Sequence, residues 1–372
     1  MPVAQWVQVG NDIDGENPGD RSGYSVALSS NGAVVAIGAI GNDGGGSDTG
    51  HVRVYVNAGG GWEQRGSDLD GSVREGVFGW SVSLSADGTI LAVSSQVPPS
   101  INSISYGQVH VFQWISNAWQ PLGSTLDTPR PSAFGQFGTS LALSDSGTIL
   151  AMGDFLDPAD FAGRVQVFAW TGTDWTQRGN DLLGSQNDGF GTSVSLSSDG
   201  SILACGANIA SYVRVYSWNG SAWQQQGATL FGPYFHDGFG YSVSLSGDGS
   251  IVAVGADRYA LVYRNDGSDW VQIGQSILEF RGSVSLSLDG RTILVGNRQH
   301  DSNGINSGHA LVFRLSPNEQ EWRQVGQELL GEAAGDRFGW STSISDSGTR
   351  ISIGAQGNGT GGRVRVYDLQ ED

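Results

Sequence analysis

Four aromatic residues hold the same place in near-copies of one phrase. Tyr24, Trp80, Tyr241 and Trp340 each follow a glycine at the head of a stretch such as F-G-W-S-V-S-L-S; the other copies put Thr139, Thr192 and Gly282 there. Asp20-Arg21 and Asp336-Arg337 stand just before two of them. Aromatic faces beside fixed charges can stack on a sugar ring or grip a peptide side chain. Packing alone, with the charges paired to each other, is the competing use. Oxygen ligands gather in N-D-I-D-G-E (Asp12, Asp14, Glu16) and N-D-G-G-G-S-D (Asp43, Asp48). They are the candidates for Ca2+, although neither run has a recognisable calcium spacing and polar turns also explain them.

Signatures of catalysis are sparse. There is no H-E-x-x-H, G-x-S-x-G or Walker loop. His300-Asp301 has acid–base types with no nucleophile beside it, and His236 lies in a similar variable segment. Scattered acids leave a hydrolytic carboxylate pair open. Cys205 sits in the apolar run S-I-L-A-C-G-A, as a buried inert thiol would, and a lone cysteine excludes an intrachain disulfide.

The 372 residues carry a net charge of −18, and all 19 basic residues are arginine. No lysine means no Schiff base and no phosphate-loop lysine. The acidic balance argues against nucleic acid and anionic membranes. No run of 18 apolar residues spans a bilayer. The opening M-P-V-A-Q-W-V-Q-V-G lacks a charged and then apolar leader, so the expectation is a cytosolic chain or a domain cut from a longer secreted one.

These residues sit on a repeat. Trp6, Trp62, Trp119, Trp175, Trp223, Trp270 and Trp322 each open a W-x-Q-x-G-x-x-L phrase, spaced 56, 57, 56, 48, 47 and 52 apart. Units of about fifty residues suit propeller blades. Each unit spells four strands: F-G-x-S-V-S-L-S, an Asp-Gly or Ser-Gly hairpin, T-I-L-A-V-G, then G-x-V-x-V-F/Y, then the tryptophan phrase. His51, His110 and His309 fall in third strands, where a satisfied structural histidine is expected. Small and apolar residues on both faces of the first two strands require burial on both sides. The predicted fold is an all-β, seven-bladed β-propeller with four antiparallel strands per blade. It is read as a single domain over 1–372, with blades near 23–69, 78–126, 137–182, 190–230, 239–277, 280–329 and 338–369 plus 6–13. The N-terminal strand completes the last blade and leaves no open edge.

Phe78-Gly79, Phe137-Gly138, Phe190-Gly191, Phe239-Gly240 and Phe338-Gly339, with closing Gly38-Ala39, Gly206-Ala207, Gly255-Ala256 and Gly354-Ala355, resemble FG-GAP repeats, the blades of the integrin α-subunit head. Ser22-Gly23 and Phe280-Arg281-Gly282 depart from the pattern. The resemblance implies fold and a binding role. It carries over no calcium loop, because S-A-D-G and S-G-D-G hairpins are too tight to wrap the ion.

The loops before the first strand and between the second and third strands open on one face and vary, as recognition loops do on a rigid ring. The expectation is therefore a non-catalytic adhesion module, extracellular or at a cell surface, monomeric or part of a larger surface protein. Its partner would be a protein or carbohydrate held near Tyr24, Trp80, Tyr241, Trp340, Asp20, Arg21, Asp336 and Arg337. Sequons at Asn219 and Asn358 permit glycosylation. The alternatives are a multivalent lectin using the outer tryptophans, a propeller hydrolase or lyase with carboxylates at the channel mouth, and a scaffold block without a ligand.

Overall fold

The computed structural model describes residues 4–97, 106–127, 137–155, 162–234, 236–278, 281–357, 359 and 361–371. Phe280, Asn358 and all of 98–105 and 156–161 lie outside them. The described residues form seven antiparallel sheets and no helix. In blade 1 the order runs from the inner strand Ser22–Leu28 through Val34–Ala39 and His51–Asn57 to the outer Trp62–Gln64. The outer strand then breaks at Gly66, whose φ of +89° suits glycine, and resumes as Leu69–Asp70 on the same third strand. The W-x-Q-x-G-x-x-L phrase thus spells a strand in two pieces.

The ring closes as expected. Gln5–Gln8 pairs with Arg363–Gln370 in the register Trp6↔Leu369, and Ile13–Asp14 adds below it. The fold is a seven-bladed β-propeller.

The repeated spelling is a packing rule between neighbours. A Cβ on Gly38 would lie 2.1 Å from the Gly79 carbonyl of the next blade. Gly153, Gly206 and Gly354 meet Gly191, Gly240 and Gly23 in the same way. Beside each contact a serine donates to that carbonyl: Ser25 to Gly79, Ser140 to Gly191, Ser193 to Gly240 and Ser341 to Gly23, at 2.8–2.9 Å. Apolar residues fill the remaining gap, as Val34, Val52 and Val54 of blade 1 do against Phe78 and Leu91 of blade 2.

Two rings of hydrogen bonds run through all the blades. On the tight-hairpin face Ser30 donates its N–H to Ala86, Ala86 to Asp145, Asp145 to Ser198, Ser198 to Gly247, Gly247 to Leu288, Leu288 to Asp346, and Asp346 back to Ser30, at 2.7–3.0 Å. At the rim each phrase tryptophan donates Nε1–H to a carbonyl of the preceding blade: Trp6 to Val325, Trp62 to Val9, Trp119 to Arg65, Trp175 to Leu122, Trp223 to Arg178, Trp270 to Gln226 and Trp322 to Ile273, at 2.9–3.1 Å.

Candidate functional site at the loop face

Chain closure brings the post-glycine aromatics together at the head of the inner strands. The Tyr24 ring lies 4.9 Å from Trp80 and 5.5 Å from Trp340, and all three are half-buried. Tyr241 joins them through a residue that sequence reasoning missed. Arg298 donates to the Tyr241 hydroxyl at 2.6 Å, with its guanidinium 4.4 Å from the Trp340 ring centre and 5.3 Å from that of Tyr241. Arg337 lies 5.8 Å from Trp340. Burial pushes the Tyr24 phenol up, with Tyr241 adding and the charges of Arg21 and Arg298 opposing, so Tyr24 stays neutral. Across the mouth Thr192 donates to Asn208 at 2.8 Å, and Gln96 donates to Thr139 at 3.2 Å. One side is aromatic and cationic; the other offers hydroxyls and amides.

Three arginines, Arg21, Arg298 and Arg337, border this mouth, and among the described residues none of them forms an ion pair. That is unusual company in a chain of charge −18. Arg21 and Arg337 also sit at φ of +56° and +55°, where the equivalent Gly189 and Gly238 of blades 4 and 5 pass freely. A left-handed arginine costs on the order of 1 kcal/mol. Val77 of blade 2 holds the equivalent place at φ of +39°, so three of the blades carry left-handed strain there.

Asp20 and Asp336 have a different task. Asp336 accepts from the N–H groups of Glu332 and Ala333, and Asp20 from those of Glu16 and Asn17. Asp188 and Asp237 cap the same turn in blades 4 and 5 and also accept from Tyr212 and Tyr259. The two carboxylates therefore hold the turns that lead into the inner strands.

The five Ca2+ candidates do not converge. Asp12 is held between Arg363 and Arg365 at 2.7–2.9 Å. Burial alone would raise its carboxyl, but hydrogen bonds from Arg365 and Gln8 with the two arginine charges keep it low. Asp14 lies 3.7 Å from Arg363, and Asp43 caps the N–H of Asp48. Glu16 alone turns toward a cluster, at His51.

The histidines divide. His110 meets Thr125 at 3.3 Å and packs against Phe78 and Phe112, as a structural histidine should; burial holds its imidazole low. His309 is bonded to Glu328, and His300 stacks on it at 3.8 Å while meeting Ser302 at 3.0 Å. His236 meets the Ile209 carbonyl. His51 corrects the structural expectation: it is 1 % exposed and, among the described residues, neither ring nitrogen has a hydrogen-bond partner. Cys205 is fully buried, which pushes its thiol up, as an inert thiol requires. The seven phrase tryptophans spend their N–H groups between blades; five of them are under 10 % exposed, so the repeated-lectin alternative lacks open ring faces.

No family model matches the chain, and no curated protein matches it. Solved structures do. The periplasmic gluconolactonase of Pseudomonas aeruginosa superposes at TM-score 0.61 with 18% identity, over 89% of this chain and 97% of that one. A Bacteroides uniformis protein to which 6-phosphogluconolactonase activity has been ascribed gives TM-score 0.61 at 12% identity, over 83% and 85%. A Lactobacillus plantarum protein gives 0.60 at 14% identity, over 83% and 85%. These likenesses agree on the propeller fold. They also correct the expectation of a non-catalytic, integrin-like adhesion module, because the named neighbours are sugar-lactone enzymes.

Proposed function

We propose that the protein is a hydrolase that opens the ring ester of an anionic, sugar-derived lactone at the loop-face mouth. The observation that carries this reading is the set of arginines Arg21, Arg298 and Arg337, without an ion pair among the described residues, gathered beside the aromatic rings in an acidic chain. The rings of Tyr24, Trp80 and Trp340 take the apolar face of the substrate ring. Thr139, Thr192 and Asn208 take its hydroxyls. The guanidiniums hold its anionic group and stabilise the oxyanion that develops when water attacks the ester carbonyl. His300, two residues beyond Arg298 on the same loop, is the imidazole that accepts the proton of the attacking water, with Glu328 4.0 Å from its Nδ1. The lactonase names of the structural neighbours support the reaction class, and the periplasmic neighbour supports a location outside the cytosol. The Phe-Gly and Gly-Ala spelling shared with FG-GAP repeats is read here as blade packing with no ligand site attached.

The test is lactone opening followed by proton release, with glucono-δ-lactone and its 6-phosphate compared against the buffer rate. Turnover favouring the phosphorylated substrate is expected. Arg298→Ala should raise KM at least tenfold, and His300→Gln should lower kcat with little change in KM. Rates equal to buffer for both lactones would sink the reading.

A further inference from the structure

We infer that His51, Glu16, Asp68 and Asp70 form a site for a borderline divalent transition ion, zinc first, that staples the seam between the closing blade and blade 1. This goes beyond the lactone-opening reading and does not depend on it. His51 begins the third strand of blade 1 and is 1 % exposed, yet both of its ring nitrogens lack a partner among the described residues. Leaving such a group unsatisfied in a closed interior is destabilising. Its Nδ1 faces three carboxylate oxygens: Asp68 Oδ2 at 3.8 Å, Glu16 Oε2 at 4.0 Å and Asp70 Oδ1 at 4.0 Å. Those are too long for hydrogen bonds. Zinc–ligand bonds of about 2.0–2.2 Å place tetrahedral ligand atoms roughly 3.3 Å apart. The three carboxylates are 29–46 % exposed, so small rotations bring them in.

The surroundings orient this set. Gln64 donates to the other oxygen of Asp68 at 2.6 Å. Arg53 lies 3.8 Å from the other oxygen of Glu16, and Asn42 donates to Glu16 at 3.3 Å. Such outer partners fix ligand direction in metal sites. A ring nitrogen with three carboxylates suits zinc, whereas calcium wants six to eight oxygens. The ligands span the closure: Glu16 lies on the crossover between Ile13–Asp14, which pairs in the last blade, and Ser22–Leu28 of blade 1, and the other three belong to blade 1. The second histidine cluster differs, because His309 is already bonded to Glu328.

Titration calorimetry of the full chain, stripped with chelator and then given Zn2+ alone, tests the site. A single saturable event and a raised unfolding temperature are expected. His51→Gln and Asp68→Asn should each weaken binding at least tenfold, while His309→Gln should leave it unchanged. Should His51→Gln fail to fold, Asp68→Asn combined with Asp70→Asn, at half-exposed positions, carries the test. Absence of saturable zinc binding, zinc binding that survives these variants, or tighter binding of Ca2+ than of Zn2+ would overturn the assignment.

Discussion

Replacing Gly38 by alanine asks two blades to make room where the nearest atom is backbone, 2.1 Å from the added Cβ. Overpacking of this kind costs about 1–3 kcal/mol. Gly61, whose Cβ would meet nothing within 4 Å, is the control. Denaturant midpoints should fall for Gly38→Ala and stay for Gly61→Ala. The hairpin aspartates make a second residue-scale prediction. Burial alone would raise Asp87, Asp199 and Asp248, but hydrogen bonds from the flanking serines and backbone, with Thr89 at Asp87, outweigh it and hold all three below the usual carboxylate range. Their folded values lie below the unfolded value of about 3.9, so their stabilisation is complete above that pH and is lost as pH falls through the folded values. Replacing all three with asparagine should flatten the acid limb of stability measured against pH. The Asp caps were legible in the sequence, since Asp20, Asp188, Asp237 and Asp336 all stand two residues before the inner strand's Ser-Gly or Phe-Gly. Their recurrence also shows that the carboxylate has a loop-folding task in every one of these blades, whatever stands at the mouth.

At the level of the strand, repetition told the truth about architecture and was silent about the site. The tryptophan phrase appears in every blade because each copy does one job, donating Nε1–H across a blade boundary. Trp223→Phe removes that bond to Arg178 while keeping most of the ring in place. The expected loss is about 1–2 kcal/mol in chemical denaturation, with the turnover that the proposed function predicts unaffected at saturating substrate. Arg298 escaped notice for the opposite reason. It belongs to a loop with no counterpart in blades 4 and 5, and no spacing rule says that its side chain reaches Trp340 and Tyr241. His51 was hidden likewise, because Glu16 approaches it from the crossover and sequence distance does not report that contact.

Across the whole molecule, the seam between first and last strands has the same register as any other blade. Leu369 pairs with Trp6 as Trp218 pairs with Trp223. A permuted chain that joins Leu369 to Trp6 through the turn of residues 219–222 and opens between Trp218 and Trp223 should fold to the same ring, with one cooperative thermal transition; an insoluble or multiphasic product would show that the seam is special. The backbone circle on the hairpin face has its own consequence. In an open solenoid the terminal repeat frays after losing one neighbour. Here every hairpin both gives to one neighbour and takes from the other, in a single rotational sense. Detaching any unit means severing two seams at once, so the wheel has no loose end from which to unravel, and loops on its far side are free to diversify without loosening the hub.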